Sequence, residues 1–517
     1  MVSTAHPIAT DAGLETLKAG GNAFDAAVTI ASTLNVVEPM MSGMGGYGTI
    51  MVYDAERGEA HYLDASGKIP AGVNPDAYRA PTPNYMKNRR NAKAVSTPGA
   101  ANAWEAMSTR FGKLPFADAL QPAIHVAEEG FVIDERTARY IERAFPEFPE
   151  HAKAFYGSGG EPLKAGDRLV QKDLAASLRL LAEEGASAMY SGSLGKAIAE
   201  SMEKAGSFLA YEDLVNDKAE WWEPIHTEYK GYDVYTPSAP AGAFPMLMRL
   251  EMMELSEMSS LGHNSLPYLH RFAEITKRAY WNRLAYSGDP DVAPPPYYML
   301  LSREYLEQEI AEFDAERAKD FDYSGIVRAE TSDNTTHFVV ADQWGNIVSA
   351  TVTLGNLFGS RIMAEGTGIW LNNSLAYCTF EPAGNPMDAH PGRRKLSSDA
   401  PSIVFKDGRP WVALGTPGGH TITQAVAQMI VNMIDFDMNI QQAIEAPRIA
   451  FVEPNTLRVE ESIEVSIRGQ LEAMGHEVNA GNVGNAHGLS IEYGGDGKPV
   501  RFEGGTDPRG TGTAKGY

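Results

Sequence analysis

The stretch Thr331–Asp342, TSDNTTHFVVAD, decides how this chain is read. Thr336, Phe338 and Val340 alternate with His337 and Val339, the period-2 pattern of a β-strand emerging from a polar linker. On that pattern Thr335 is an ordinary strand-opening threonine. It acquires chemistry only if the Asn334–Thr335 peptide bond breaks. Thr335 would then carry a free α-amine, with a reference pKa of about 7.7–8.0, beside its own hydroxyl. The amine can take the hydroxyl proton, so the residue becomes a nucleophile carrying its own base.

Outward from this stretch the texture is α+β. Downstream, FVVADQWGNIVSATVT, PSIVFKDGRPWVALGT and LSIEYGGDGKPVRFEG each read as strand, turn, strand, with a helix near residues 423–434. Upstream, TIMVYDAERGEAHYLDAS reads as a further hairpin. The region from about 101 to 306 is helical in periodicity. Two small-residue helices open the chain, near residues 10–19 and 23–34. Gly43, Gly45, Gly46 and Gly48 in MSGMGGYG suggest backbone conformations that other residues resist. The loop lacks the G-K-[ST] ending of a phosphate loop. Hairpins at both ends with helices between suit two antiparallel sheets covered by helices.

Composition narrows the function classes. The net charge of −23 comes without a basic stripe, which argues against nucleic acid. A single cysteine, Cys378, excludes an intrachain disulfide and a cysteine-based zinc site, and reads as a small buried apolar residue. Neither H-E-x-x-H nor G-x-S-x-G occurs, so zinc-protease and serine-hydrolase readings lack their motifs. His270 and Lys277 read as helix-surface or buried-pair residues. No metal or organic cofactor is expected. No apolar run reaches the length of a membrane span. The first residues lack signal-peptide character, which leaves a cytoplasmic chain, or a periplasmic or extracellular one whose signal has been removed.

Longer-range motifs give Thr335 its role. The sequence resembles the γ-glutamyltranspeptidase family of N-terminal nucleophile hydrolases over nearly its whole length. The resemblance rests on residues 6–48, TPGAANAWEAM, HRFAEITKRAYWNR and YSGDPDV. It rests most on the ordered set TTHFVVADQWGNIVSATVTLGNLFGS, GIWLNN, GRRKLSSDAP and GTPGGHTI. It implies a four-layer αββα sandwich built from both products of self-cleavage, residues 1–334 and 335–517, assembled as a heterodimer. Thr335 matches the nucleophile, with Asn334 before the cut. Thr353 matches the threonine whose hydroxyl meets the nucleophile. Gly418 and Gly419 match the oxyanion-hole pair, and Ser397 and Ser398 the serines near substrate. His337 shares the nucleophile's strand face and reads as structural at least as readily as catalytic.

The substrate clamp departs from the family. Positions that hold the glutamyl α-carboxylate and α-amine align here with Ser66, Gly355, Ser374 and Tyr377. Lys68, Arg361 and Arg393 are candidate replacements for a carboxylate anchor. Tyr377 and Trp370 alternatively favour a larger or less polar acyl group. The resemblance thus implies a small-molecule amide as substrate, γ-glutamyl or related. An oxamate-specific or cephalosporin-acylase-like amidase is the alternative. An uncut, non-catalytic binding protein on the same fold is the alternative of another class.

Overall fold

The computed structural model describes residues 1–321, 334–453 and 455–517; Thr331, Ser332 and Asp333 of the opening stretch lie outside them. Two antiparallel sheets form its centre. The first runs, edge to edge, Thr513–Lys515, Val2–Thr4, Thr336–Ala341, Ile347–Thr353, Tyr47–Asp54, Glu59–Asp64, Glu220–Trp222. The second runs Pro499–Thr506, His487–Tyr493, Arg409–Gly415, Ser402–Lys406, Tyr232–Thr236, Ile225–Tyr229. Each sheet draws strands from both sides of Thr335, so neither segment completes a sheet alone.

Strand alternation sorts the layers. Val339, Ala341, Met51 and Ile347 of the first sheet pack against Ile403, Phe405, Ala413 and Leu489 of the second. Phe338, Val340, Val348 and Ala350 face outward onto the amino-terminal helices. Val234, Val404, Val412 and Leu414 face the helices Phe244–Leu255, Leu266–Tyr286 and Ile422–Asp435. The order helix, sheet, sheet, helix is the αββα sandwich anticipated from the motifs.

The helix Ala23–Val37 is buried along its whole length, as its alanine content requires for close packing on all sides. It starts with a capping box: Asn22 Oδ1 accepts the Phe24 and Asp25 N–H groups, and Asp25 Oδ2 accepts the Asn22 N–H. At its other end Glu38 Oε2 accepts the Thr336 hydroxyl at 2.9 Å, which ties the start of the central strand to the helical layer.

Three features differ from the sequence reading. The hairpin Ile225–Tyr229/Tyr232–Thr236 interrupts the helical middle region, turning at Lys230 and Gly231, both with positive φ. The strands Val2–Thr4 and Thr513–Lys515 at one end of the first sheet, three residues each, are too short to show alternation. Gly43, Gly45, Gly46 and Gly48 are not in the left-handed region. They are glycine for lack of room: a Cβ would stand 2.1 Å from the Trp370 carbonyl oxygen at Gly45, 2.4 Å from that of Thr353 at Gly46 and 2.6 Å from that of Thr351 at Gly48. Among the described residues no helix is long and apolar enough to cross a membrane.

Candidate active site

Thr335 precedes the strand Thr336–Ala341, and Thr353 ends its hairpin partner. The Thr335 hydroxyl donates to Thr353 Oγ1 at 3.1 Å and also lies against the Asn334 carbonyl oxygen. Thr353 Oγ1 accepts the Gly355 N–H at 2.8 Å, which orients it from the far side. One rung further in, His337 Nδ1 meets Thr351 Oγ1 at 2.9 Å. Thr335 and His337 therefore share the inter-sheet face with Thr351 and Thr353. Burial, reinforced by His487, holds the His337 imidazole well below its ordinary pKa, so it is neutral. Its tight packing against Gly415, where a Cβ would lie 2.3 Å from the ring, is that of a structural residue.

From Gly415 the second sheet runs into GTPGGH. Gly418 (φ 135°) and Gly419 (φ 59°) both adopt left-handed backbone, and the helix Ile422–Asp435 follows. Thr421 closes the turn by donating its backbone N–H and its hydroxyl to the Gly418 carbonyl. Two consecutive N–H groups at such a helix start suit a developing oxyanion.

Of the remaining candidates, Gly355 and Tyr377 border the Thr353 turn. Gly355 (φ 96°) has no room for a side chain, since a Cβ would lie 2.3 Å from Asn373 Oδ1 and 3.2 Å from the Tyr377 ring. Tyr377 Oη donates to Asn356 Oδ1 at 2.9 Å. Ser374 is fully buried, with its hydroxyl engaged by Ser96 Oγ at 2.5 Å. Ser66 follows the first hairpin, its N–H given to Asp64 Oδ1 at 3.1 Å. Ser398 Oγ accepts from Arg283 Nη2 at 3.0 Å, and the Ser397 carbonyl accepts the Gly242 N–H at 2.7 Å.

Several charged and aromatic candidates lie elsewhere. Lys68 is 3.9 Å from Glu220. Arg361 pairs with Glu147 in a surface depression with His151 and Glu365. Trp370 belongs to the core under the first sheet, with Phe148, Tyr156 and Phe358, and its indole N–H is given to Tyr156 Oη at 3.1 Å. That placement removes it as a wall for the acyl group. Cys378 is buried, and burial pushes its thiol up to about 12. His270, Glu274 and His476 approach one another within 4.8 Å. Glu274 is already held by Lys277 at 3.0 Å and Arg278 at 3.4 Å, and His270 by the Asp314 carbonyl. The Glu274 carboxylate is thus already neutralised, and a further cation there would meet two positive side chains.

Sequence reasoning passed over Lys395 and Asp399. Both are buried in the GRRKLSSDAP segment. Burial pushes the Lys395 ammonium down to about 8 against the opposing pull of Asp399, and pushes Asp399 up to about 6 against that of Lys395. Their spacing, four apart around two serines, was the available signal.

Comparison with known proteins finds relatives over nearly the whole chain. The family profile described as gamma-glutamyltranspeptidase matches residues 9–517. The glutathione hydrolase proenzyme of Bacillus subtilis (strain 168) is 34% identical over 95% of this chain and 88% of its own length. The acylase ACY 1 proenzyme of Pseudomonas sp. (strain SE83) is 38% identical over 92% of this chain and 87% of its own. The crystal structure of cephalosporin acylase from Bacillus halodurans superposes with a TM-score of 0.88 at 28% identity, covering 100% of this chain and 96% of that one. The fold and its relatives define an N-terminal nucleophile hydrolase or transferase. Within that class the chain belongs to the gamma-glutamyltranspeptidase family.

Proposed function

We propose that the chain cuts itself between Asn334 and Thr335 and then acts as an amidase or acyltransferase with Thr335 as nucleophile. The observation that carries this reading is the 3.1 Å contact between the Thr335 and Thr353 hydroxyls, beside the Asn334 carbonyl. For the cut, Thr335 Oγ1 attacks the Asn334 carbonyl carbon. The C–N bond breaks, the hydroxyl proton passes to the Thr335 nitrogen, and the resulting ester is hydrolysed by water. The products are residues 1–334 and 335–517, held together because both sheets contain strands of each. The proenzyme relatives support such processing.

In the two-chain form the Thr335 α-amine accepts the hydroxyl proton as Oγ1 attacks a substrate amide. The Gly418 and Gly419 N–H groups serve the tetrahedral oxyanion. The proton held by the amine leaves with the amine product. Water or an acceptor amine, delivered through the same α-amine, then resolves the acyl-enzyme. Thr353 holds the nucleophile's hydroxyl. Ser66, Gly355, Ser374, Tyr377, Ser397 and Ser398 surround the acyl group, Ser374 by packing rather than by a free hydroxyl.

The acyl group is γ-glutamyl or a related acyl. The acylase relatives favour a second reading, an acyl-amide-specific enzyme. The observation behind it is that Ser66, the left-handed Gly355 and the Ser96-bound Ser374 supply no charge for an α-amino acid. A panel of γ-glutamyl anilide, glutathione, oxamate and N-acyl amino acids separates these readings. Preference for the γ-glutamyl compounds supports the first, and preference for acyl groups without an α-amine supports the second. A chain that neither cuts itself nor turns over any member overturns both and leaves a binding protein.

A further inference from the structure

Lys395 is 2% exposed, yet among the described residues its ammonium has no hydrogen bond and no ion pair within 4.0 Å. Its neighbour shows that this is not a general shortage of acids. Arg394 pairs with Asp291 at 2.5 Å, Asp289 at 3.2 Å and, through Nη2, Glu220 at 2.9 Å. A buried, unpaired ammonium is costly, so such a group ordinarily acquires a partner or loses its charge. Asp399 shares the same inter-sheet space but stands beyond ion-pair distance.

The position of the ammonium connects it to the reacting atoms. Lys395 Nζ lies 3.9 Å from the centre of the Tyr47 ring and 5.6 Å from that of Tyr377. Tyr47 is the register partner of Thr353, so the two side chains emerge side by side on the same face of the sheet. The Tyr377 ring abuts Gly355, whose N–H orients the Thr353 hydroxyl. Both rings that flank the ammonium thus border the turn holding the nucleophile. Aromatic faces hold a cation in place without using its N–H donors. On the adjoining segment Arg283 donates to Ser398 Oγ, leaving the Ser398 hydroxyl proton to be given elsewhere. A held cation with unused donors is complementary to a carboxylate, and the Ser398 hydroxyl, three residues on in the chain, has a proton to give.

We propose that Lys395 is a specificity-determining residue of the acyl site, anchoring the terminal carboxylate of an ω-carboxyacyl amide. This deepens the amidase reading above and rests on it. It selects, among related acyl amides, those whose acyl chain ends in a carboxylate, and it assigns that selection to a residue two positions before the serine pair.

The test compares binding of glutaramate, which carries a carboxylate, with glutaramide, its neutral counterpart. Calorimetry is run on the full protein as isolated, for the parent, Lys395→Met and Lys395→Arg. The parent is expected to prefer glutaramate by about tenfold or more, the range of a hydrogen bond to a charged group. Lys395→Met is expected to bring the two within about twofold, and Lys395→Arg to restore part of the preference. Equal binding of both ligands by the parent overturns the proposal without needing any variant. So does a preference that survives in Lys395→Met, or one lost together with a fall in Tm and equal weakening of both ligands. A denaturing gel of the same samples reports the amidase reading separately: one uncut chain that turns over no amide refutes that reading, whereas two chains with no glutaramate preference refute only the anchor.

Discussion

Replacing Thr353 by valine removes one oxygen while nearly keeping the side chain's volume. That oxygen accepts the Thr335 hydroxyl at 3.1 Å and the Gly355 N–H at 2.8 Å. Thr335 is 7% exposed, so bulk water does not readily replace the lost partner. A hydrogen bond lost at a buried polar group costs about 1–3 kcal/mol. If the contact is made in the transition state, this is about 5- to 150-fold in rate. Two assays read it: the time course of chain cutting on a denaturing gel, and kcat of the purified two-chain form. Both are expected to fall within that range, with KM changed less than kcat. Thr353→Ser keeps the oxygen and is expected to recover most of the rate. Cutting and turnover within twofold of the parent in Thr353→Val, at unchanged Tm, would refute the orienting role.

Gly418→Ala forces an alanine to φ 135° and sets its Cβ 2.6 Å from Thr421 Oγ1; kcat is expected to fall by about a hundredfold, the scale of losing one oxyanion donor, while the protein remains folded by circular dichroism. Gly46→Ala places a methyl 2.4 Å from the Thr353 carbonyl oxygen, and is expected to lower both Tm and cutting rate by displacing the end of that strand. For an ω-carboxyacyl amide, KM is expected to be pH-dependent. The Lys395 ammonium, facing Tyr47, Tyr377, Cys378, Asp64, Asp399 and Arg283, is pushed down to about 8 in the free enzyme, so anion binding is present below that pH and lost above it. KM should then rise roughly tenfold per unit above pH about 8, while kcat follows deprotonation of the Thr335 amine. A neutral acyl amide measured in parallel should lack the KM rise.

Much of this fold is legible because its central strands alternate cleanly. TTHFVVAD and NIVSATVT show one face of Val339 and Ala341 for the inter-sheet core and another of Phe338 and Val340 for the helices. The hairpin at Tyr229–Tyr232 was equally legible, since HTEYKGYDVYT carries alternation around a Lys-Gly turn, but it sits inside a helical neighbourhood that dominates a wide window. The three-residue strands Val2–Thr4 and Thr513–Lys515 leave no pattern to read, because they exist only through pairing with distant partners. Gly45, Gly46 and Gly48 show the limit of local reasoning: their reason is the approach of residues 351–370, which no local pattern reports. At the site, motifs single out Thr335, Thr353 and the glycine pair as candidates, but charge alone does not separate Lys68 and Arg361, which have acids beside them, from Lys395, which has aromatic rings. That distinction depends on which residues the folded sheets bring around each cation.

The central claim is that Thr335 becomes a chain terminus. Intact mass spectrometry of the purified protein, with amino-terminal sequencing of the smaller product, tests it most directly. Two chains are expected, residues 1–334 and 335–517, the second beginning TTHF, and Thr335→Ala should remain one chain without activity. A single uncut chain with full amide-cleaving activity, or an active Thr335→Ala variant, would contradict it.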